Sequence, residues 1–170
     1  MKSNWQASLD HVLQSEGGWS DHPADPGGAT MKGVTLETYR RYKMNPHITK
    51  DQLRNITDEE VSDIYKTGYW DRCRCYDLPS GIDFLVFDMA VNAGVGRSSK
   101  LLQEAVGVPA DGVIGPITIA AVKAADQDLL IERFSQLKEA FYRSLPTFGT
   151  FGNGWLNRVA STKAFAQKLA

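Results

Sequence analysis

The stretch IDFLVFDMAVN, residues 82–92, would be apolar on nearly every side of a helix, and it decides the fold of this chain. A helix of that kind must be covered all round, so the segment is predicted to lie at the centre of the molecule. It contains Asp83 and Asp88, and it is much shorter than the ~20 apolar residues of a membrane-spanning helix. The sequence therefore predicts a globular protein whose core surrounds one central helix.

Amphipathic helices are predicted on both sides of this segment. Residues 5–16 carry one apolar stripe that ends at a pair of glycines, and Thr49 and Thr57 each begin a capping-box pattern. Further along, Pro116 marks another helix start, since proline is favoured at the first helical position. Strand patterns are scarce, so we expect a mostly α protein with at most a small β element after the first helix.

Composition places the chain among ordinary globular proteins. Its 170 residues are 42% hydrophobic and 23% charged, and the formal net charge is −1. These values exclude a disordered or collagen-like chain, and a chain of this length makes one domain or two small lobes. A net charge near zero also argues against nucleic acid as a partner, because phosphate binding requires a strongly basic surface.

The N-terminal sequence and the cysteines bear on location. MKSNWQASLDHV, residues 1–12, has one lysine and no apolar region, so no signal peptide is predicted. Cys73 and Cys75 are one residue apart, a spacing that is awkward for a disulfide and supplies only half of a metal site. We expect two reduced structural thiols and a protein made in a reducing cytoplasm.

Most catalytic classes lack their motif in this sequence. The three histidines form no His-x-x-x-His or Glu-x-x-His pair, which disfavours a zinc hydrolase. Neither a Gly-x-Ser-x-Gly elbow nor a Walker-type phosphate loop occurs. A nucleophilic Cys73 or Cys75 with a distant histidine is a weaker hypothesis, because both thiols follow an ordinary helical pattern. Carboxylates are the remaining candidates for catalysis.

Glu16 is the carboxylate whose position favours catalysis. It ends the first predicted helix, where the macrodipole places partial negative charge and disfavours an ionised side chain, as suits a general acid. A solvated glutamate at a helix end would fit the same position. The loop that follows is rich in proline and glycine and adds Asp21 and Asp25. Two carboxylates across a cleft are what glycoside hydrolysis requires.

The longer string EGGWSDHPADPGGATMKGVT, residues 16–35, resembles the signature of glycoside hydrolase family 108. That family consists of muramidases of the phage endolysin type, with relatives that serve bacterial protein secretion. Its pattern is Glu-Gly-Gly-aromatic, an Asp-x-Gly-Gly-x-Thr turn and Gly-aliphatic-Thr or Ser, and Trp19 here takes the place of the more usual tyrosine. The resemblance implies a lysozyme-like helical fold and a glycosidase of the lysozyme or N-acetylmuramidase type.

The resemblance also implies which residues form the site. The expected catalytic residues are Glu16, Asp25 and Thr30. Glu16 and Asp25 have the eight-residue gap of phage-type lysozymes, whereas the threonine lies one residue nearer to the aspartate than in that pattern. The expected substrate-binding residues are Trp19, Asp21, Tyr69 and Asn92. A capping or core role is at least as consistent with Asn92, and a core position with Tyr69. No metal or organic cofactor is implied.

Residues 96–170 resemble a helical peptidoglycan-binding region. The string DGVIGPIT, residues 111–118, matches the Asp-Gly-x-x-Gly-x-x-Thr pattern of wall-binding modules, and GWLNRV at 154–159 is similar to the C-terminal region of the family. Because Asp-Gly is a common turn, we expect this motif to be architectural rather than a second sugar site. The predicted division is a muramidase catalytic region over 1–95 and a peptidoglycan-binding-like region thereafter, packed into one globular unit.

Together the resemblances imply a peptidoglycan hydrolase that cuts the β-1,4 bond between N-acetylmuramic acid and N-acetylglucosamine and lyses a bacterial host. The expected partner is peptidoglycan, with no nucleic acid, no stable membrane insertion and a monomeric chain. An endolysin of this kind stays in the host cytoplasm until a holin releases it to the periplasm and cell wall. The alternatives are a wall-remodelling muramidase for protein secretion, a non-catalytic peptidoglycan-binding module, and an amidase or peptidase acting on the stem peptide.

Overall fold

The protein is mostly helical. The computed structural model describes residues 3–23 and 28–170, and within these ranges the chain forms nine α-helices and three short strands. Helices α1 to α9 are Trp5–Ser15, Leu36–Lys43, Lys50–Arg54, Asp58–Tyr65, Ile82–Ala93, Val95–Val106, Pro116–Ala124, Gln127–Arg143 and Phe148–Leu169. Strands β1 to β3 are Trp19–Ser20, Thr30–Met31 and Val34–Thr35. The prediction of a mostly α fold with a small β element after the first helix is confirmed.

The described residues divide into two compact units. The first is Gln6–Gly68, and the second is Tyr69–Ala170 together with the described residues up to Trp5. The first unit holds the small sheet and α2 to α4, and the second holds α5 to α9. The boundary that the sequence predicts after residue 95 stays a prediction.

The small sheet of the first unit is an antiparallel meander in the order β1-β2-β3. Trp19 pairs with Met31, and Met31 in turn pairs with Val34. The two residues that join β2 and β3, Lys32 and Gly33, have φ values of 51° and 78°. Positive φ at both central residues is the signature of a type I′ turn, whose twist matches that of the flanking strands.

Side-chain caps start the helices of this unit where the sequence predicts them. Thr57 Oγ1 accepts a hydrogen bond from the Glu60 backbone N–H at 3.1 Å, and Glu60 Oε1 accepts one from the Thr57 N–H at 3.2 Å. Thr49 and Gln52 form the same reciprocal pair at the start of α3. Each box satisfies backbone N–H groups that a helix start leaves without partners. Both predicted capping boxes are confirmed.

Helix α5 is the centre of the second unit. Its residues from Ile82 to Ala90 are all buried, and it packs against α6, α8 and α9. Asp83 is tolerated near its start because Oδ1 accepts hydrogen bonds from the Gly81 and Phe84 N–H groups, at 2.9 and 2.7 Å. Burial raises the pKa of Asp83, and these hydrogen bonds act against that rise. The central, fully covered helix that the sequence predicts is confirmed.

The second aspartate of α5, Asp88, lies in a buried ionic cluster. Its Oδ2 is 2.5 Å from Lys138 Nζ on α8, and its Oδ1 accepts a hydrogen bond from Arg158 Nη2 on α9 at 3.1 Å. Burial alone would raise the pKa of Asp88, but the charges of Lys138 and Arg158 outweigh it and hold that pKa below its usual value. A charge this deep is stable only when it is paired.

Two further observations bear on the sequence expectations. Among helices in the described ranges, none is both long and apolar enough to cross a bilayer. Cys73 and Cys75 are both buried, and their thiols are free rather than joined, as the sequence predicts. Burial raises the pKa of Cys75 well above its usual value, so this thiol remains protonated and unreactive near neutral pH.

Candidate functional site

Glu16 lies at the junction between α1 and the small sheet. Its backbone N–H donates to the Val12 carbonyl at 3.2 Å, which continues the hydrogen-bond pattern of α1 by one residue. The chain then passes through two glycines into β1. Glu16 is half-buried, so the protein covers part of this residue and the rest is open to solvent.

The carboxylate of Glu16 lies against the turn between β2 and β3. A Cβ placed on Gly33 would be 3.0 Å from Glu16 Oε2 and 2.3 Å from the hydroxyl oxygen of Tyr65. That hydroxyl donates a hydrogen bond to the Lys32 carbonyl at 2.8 Å and so fixes the turn. Only glycine leaves room here, and the φ of 78° also favours it.

Sequence reasoning included Gly33 only as part of the Gly-aliphatic-Thr pattern and missed its contact with Glu16, and it gave Tyr65 no part in the site. The two glycines that directly follow Glu16 leave open space, since an added Cβ on either would meet no other atom within 4 Å. The Lys-Gly pair between two short strand patterns is typical of a tight hairpin turn and could have indicated the turn at Gly33. Tyr65 carried no such signal, because an aromatic residue on the apolar side of a helix fits an ordinary core position.

Trp19 and Thr30 both lie in the sheet that follows Glu16. Trp19 is half-buried, and the Arg54 guanidinium lies over its ring, 5.1 Å from the centroid. Thr30 is in the middle strand, where it pairs with Ser20 on one side and Thr35 on the other. The structure therefore brings both predicted residues into the same small element as the turn that contacts Glu16.

The loop after Glu16 contains two candidate aspartates, Asp21 and Asp25. Asp21 is exposed and pairs with Lys50, whose Nζ is 3.0 Å from Oδ2. Asp25, the predicted catalytic partner of Glu16, lies outside the described residues. Its assignment therefore rests on the sequence pattern.

The other predicted binding residues, Tyr69 and Asn92, belong to the second unit. Tyr69 is half-buried in a π-helical turn, Lys66–Trp70, and its carbonyl accepts a hydrogen bond from the Cys73 N–H at 3.0 Å. Asn92 is near the end of α5, where its Nδ2 donates to Asp88 Oδ2 at 3.2 Å. Asn92 thus has the core hydrogen bond that the sequence leaves open, and its half-buried side chain also lines a cavity.

The polar groups of the 111–118 motif are used inside the second unit. Gln103, which is buried, donates from Nε2 to Asp111 Oδ1 at 2.8 Å and to Thr118 Oγ1 at 3.2 Å. Its Oε1 accepts from the Gly112 N–H at 2.9 Å. These hydrogen bonds hold the loop that leads into α7, which is the architectural role expected of this motif.

The described part of the site offers acid–base chemistry. A half-buried carboxylate beside an open, glycine-rich surface can approach a bound substrate and transfer a proton to it. Among the described residues, no group of three or more His, Cys, Asp and Glu side chains is arranged to hold a metal ion. Lys32, the nearest cation along the turn, is paired with Asp58 at 2.5 Å.

Comparisons with known proteins identify the family of this chain. The model of a family described as Glycosyl hydrolase 108 matches residues 9–94, and a model described as Predicted Peptidoglycan domain matches residues 97–160. The solved structure of Brucella abortus SagA is 38% identical in sequence, with a TM-score of 0.88 over 98% of this chain and 95% of that chain. No curated protein is significantly similar to the chain.

Proposed function

Because this chain belongs to glycosyl hydrolase family 108, we propose that it is an N-acetylmuramidase that cuts the β-1,4 bond between N-acetylmuramic acid and N-acetylglucosamine. Family membership makes the chain a glycoside hydrolase. The peptidoglycan domain over residues 97–160 supports peptidoglycan as its substrate. The observation that carries the proposal is the Glu16 carboxylate, half-buried and held against the Gly33 turn at the end of α1.

In the proposed reaction Glu16 is the general acid. It protonates the oxygen of the glycosidic bond, so that the leaving sugar departs as an alcohol while positive charge develops on the other ring. Asp25, with help from Thr30, orients the attacking water or steadies the oxocarbenium-like charge. Gly33 acts through Glu16, since it leaves the space that this side chain occupies, and Tyr65 holds the turn that contains Gly33.

We further propose a biological role as a phage or prophage endolysin, which lyses the host after a holin releases it from the cytoplasm to the cell wall. The resemblance of residues 16–35 to that type of muramidase supports this role. A bacterial muramidase that remodels the wall for protein secretion would have the same fold and the same site. Lysis of the producing cells that requires a co-expressed holin is expected for the endolysin role, and lysis without a holin would contradict it.

The enzymatic proposal is tested on purified peptidoglycan with two assays on the same digest. A muramidase releases reducing sugar ends and no free amines, whereas an amidase or peptidase releases free amines. A non-catalytic binding module releases neither and remains bound to the wall. Incubation with EDTA is a further arm, and we expect unchanged release of reducing ends because the sequence carries no zinc-binding pattern. Free amines without reducing ends would contradict the proposal.

A further inference from the structure

A cavity of about 270 Å³ lies within the second unit, where the C-terminal parts of α5 and α8 meet α9. Its walls are largely aromatic, with Phe141 and Tyr142 on α8 and Trp155 on α9. Trp155 stacks on Tyr142, with ring centroids 5.3 Å apart and an interplanar angle of 29°. Flat aromatic faces pack well against the apolar face of a sugar ring. The lining therefore offers aromatic surface of the kind that packs against sugar rings.

Arg158 is the one charged side chain among the described residues that line this cavity. It belongs to the buried cluster in which the single carboxylate of Asp88 faces the two cations Lys138 and Arg158. With all three groups ionised the cluster has a net charge of +1, although burial lowers the pKa of Lys138. The Arg158 side chain is 21% exposed, against 1% for Asp88 and for Lys138. Of the three charged groups, the Arg158 guanidinium is therefore the one that reaches solvent, in the wall of the cavity.

Hydrogen-bond donors around the cavity remain available. A guanidinium has five N–H donors. In Arg158 the Nε donor is buried without a partner among the described residues and one Nη2 donor is bonded to Asp88, which leaves three donors on the two terminal nitrogens. Burial, reinforced by the charge of Asp88, raises the pKa of Tyr142 to about 12, so its hydroxyl stays protonated at neutral pH. The Arg97 guanidinium lies over the Phe141 ring, 5.1 Å from its centroid, but outside the residues that line the cavity. The cavity suits an anion attached to a ring or another apolar group.

Resting on the muramidase function proposed above, we infer that this cavity is a subsite that binds a carboxylate of peptidoglycan. Arg158 pairs with the carboxylate, and Trp155 packs against the adjoining sugar ring. A guanidinium is matched to this ligand, because its planar fork can make two parallel hydrogen bonds to one carboxylate. Peptidoglycan carries such groups in two places: the lactyl side chain of N-acetylmuramic acid in strands without peptide, and the stem peptide in strands that retain it.

The test is calorimetric titration of the full-length chain carrying Glu16→Gln, so that the ligand is not cut. The probes are a peptide-free GlcNAc–MurNAc tetrasaccharide, the same sugar with a stem peptide, the methyl esters of both, and a carboxylate-free N-acetylglucosamine tetramer. We expect at least one free acid to bind about tenfold or more tightly than its ester, as a charge-assisted hydrogen bond predicts. Preference for the peptide-free acid identifies the lactyl group, and preference confined to the peptide-bearing acid identifies the stem peptide.

Variants at Arg158 test whether the preference for the free acid over its ester arises in this cavity. Arg158→Gln should remove the discrimination between acid and ester, and Arg158→Lys, which keeps the charge, should retain part of it. Lys163→Gln is the matched control, since Lys163 is also a cation on α9 but pairs with Glu132 outside the cavity lining. It should bind as the parent does. Melting curves on each variant show whether the protein is folded.

Equal binding of every acid and its ester to the Glu16→Gln chain would overturn the inference, and that result does not depend on any Arg158 variant folding. Discrimination that persists unchanged in a folded Arg158→Gln protein would overturn it as well. The muramidase proposal is tested by a separate measurement, and it fails if the wild-type chain releases no reducing ends from peptidoglycan. Acid-selective binding that needs Arg158 would support the subsite even in that case.

Discussion

The Glu16 carboxylate lies against the Cα of Gly33, so closely that a Cβ at residue 33 would be 3.0 Å from Oε2. The helix that ends before Glu16 and the hairpin that contains Gly33 therefore set the position of this side chain together. A general acid must be held within a fraction of an ångström of its substrate oxygen to be effective. The contact provides such a constraint, and it can be tested directly.

Gly33→Ala should lower both stability and activity. The new Cβ would overlap the Tyr65 hydroxyl and push on the Glu16 carboxylate, and a left-handed backbone costs a residue with a Cβ ~1–2 kcal/mol. Melting curves and reducing-end release on the same preparation measure the two effects. Gly18→Ala is the matched stability control, because its Cβ would meet nothing within 4 Å. Equal melting temperatures for the two variants would show that the Gly33 contact is not tight.

Glu16→Gln should abolish catalysis and leave the protein folded. Glutamine keeps the shape of the side chain but cannot supply the proton, and general acid catalysis contributes ~10²–10⁴-fold in rate. The melting temperature should equal or slightly exceed that of wild type, because a negative charge at a helix C-terminus costs ~0.3–1 kcal/mol. A folded variant that releases reducing sugar at a near wild-type rate would remove Glu16 from the mechanism.

Asp25→Ala should reduce turnover strongly, whereas Asp21→Ala, which removes an expected substrate-binding group and not a catalytic one, should reduce it far less. Asp25 has the spacing from Glu16 that the lysozyme pattern requires. Asp21 instead forms an exposed ion pair with Lys50, and such pairs contribute ~0–1 kcal/mol to stability. Initial rates on purified peptidoglycan, with melting curves for both variants, make the comparison. An inactive Asp21→Ala beside an active Asp25→Ala would reverse the assignment of the second carboxylate.

Asp88→Asn should be severely destabilising. It leaves the fully buried ammonium of Lys138 without its carboxylate, and breaking one side of a buried ion pair costs ~3–5 kcal/mol. Urea denaturation gives the free energy of unfolding. Glu132→Gln is the control on the surface, because its pair with Lys163 is solvent-exposed and should contribute much less to stability than the buried pair. Similar losses for the two variants would mean that Asp88 is not paired as described.

The ion pairs of Asp88 also determine how the stability of the fold should change as the pH is lowered into the acid range. The pKa of Asp88 in the folded protein is below its ordinary value of 3.8, so its pairing with Lys138 and Arg158 stabilises the fold fully above pH 3.8. That contribution is lost as the pH falls through the lower, folded-state pKa. Urea midpoints measured from neutral pH downward should therefore fall steeply in wild type at the acid end. Asp88→Asn should show a shallower decline over the same range.

The sequence by itself determined the local structure. The capping boxes at Thr49 and Thr57, the start of α7 at Pro116 and the all-apolar character of α5 were predicted correctly, because each depends on residues within one or two helical turns. The string of residues 16–35 also identified the family and placed Glu16 before a small sheet. These features are encoded in spacing along the chain, so a single sequence is enough to recognise them.

Only the tertiary structure decided which groups surround the chemistry-bearing side chains. In the sequence, Asp88 is a charged residue within an otherwise apolar helix, with no indication of a partner. Its partners in the structure, Lys138 and Arg158, are 50 and 70 residues away along the chain. Gly33 likewise reaches Glu16, and Tyr65 reaches the turn that contains Gly33, only once the hairpin and α4 have packed. Charge pairing and close packing act through space, between segments brought together by burial of apolar surface, and local sequence spacing carries no record of those distances.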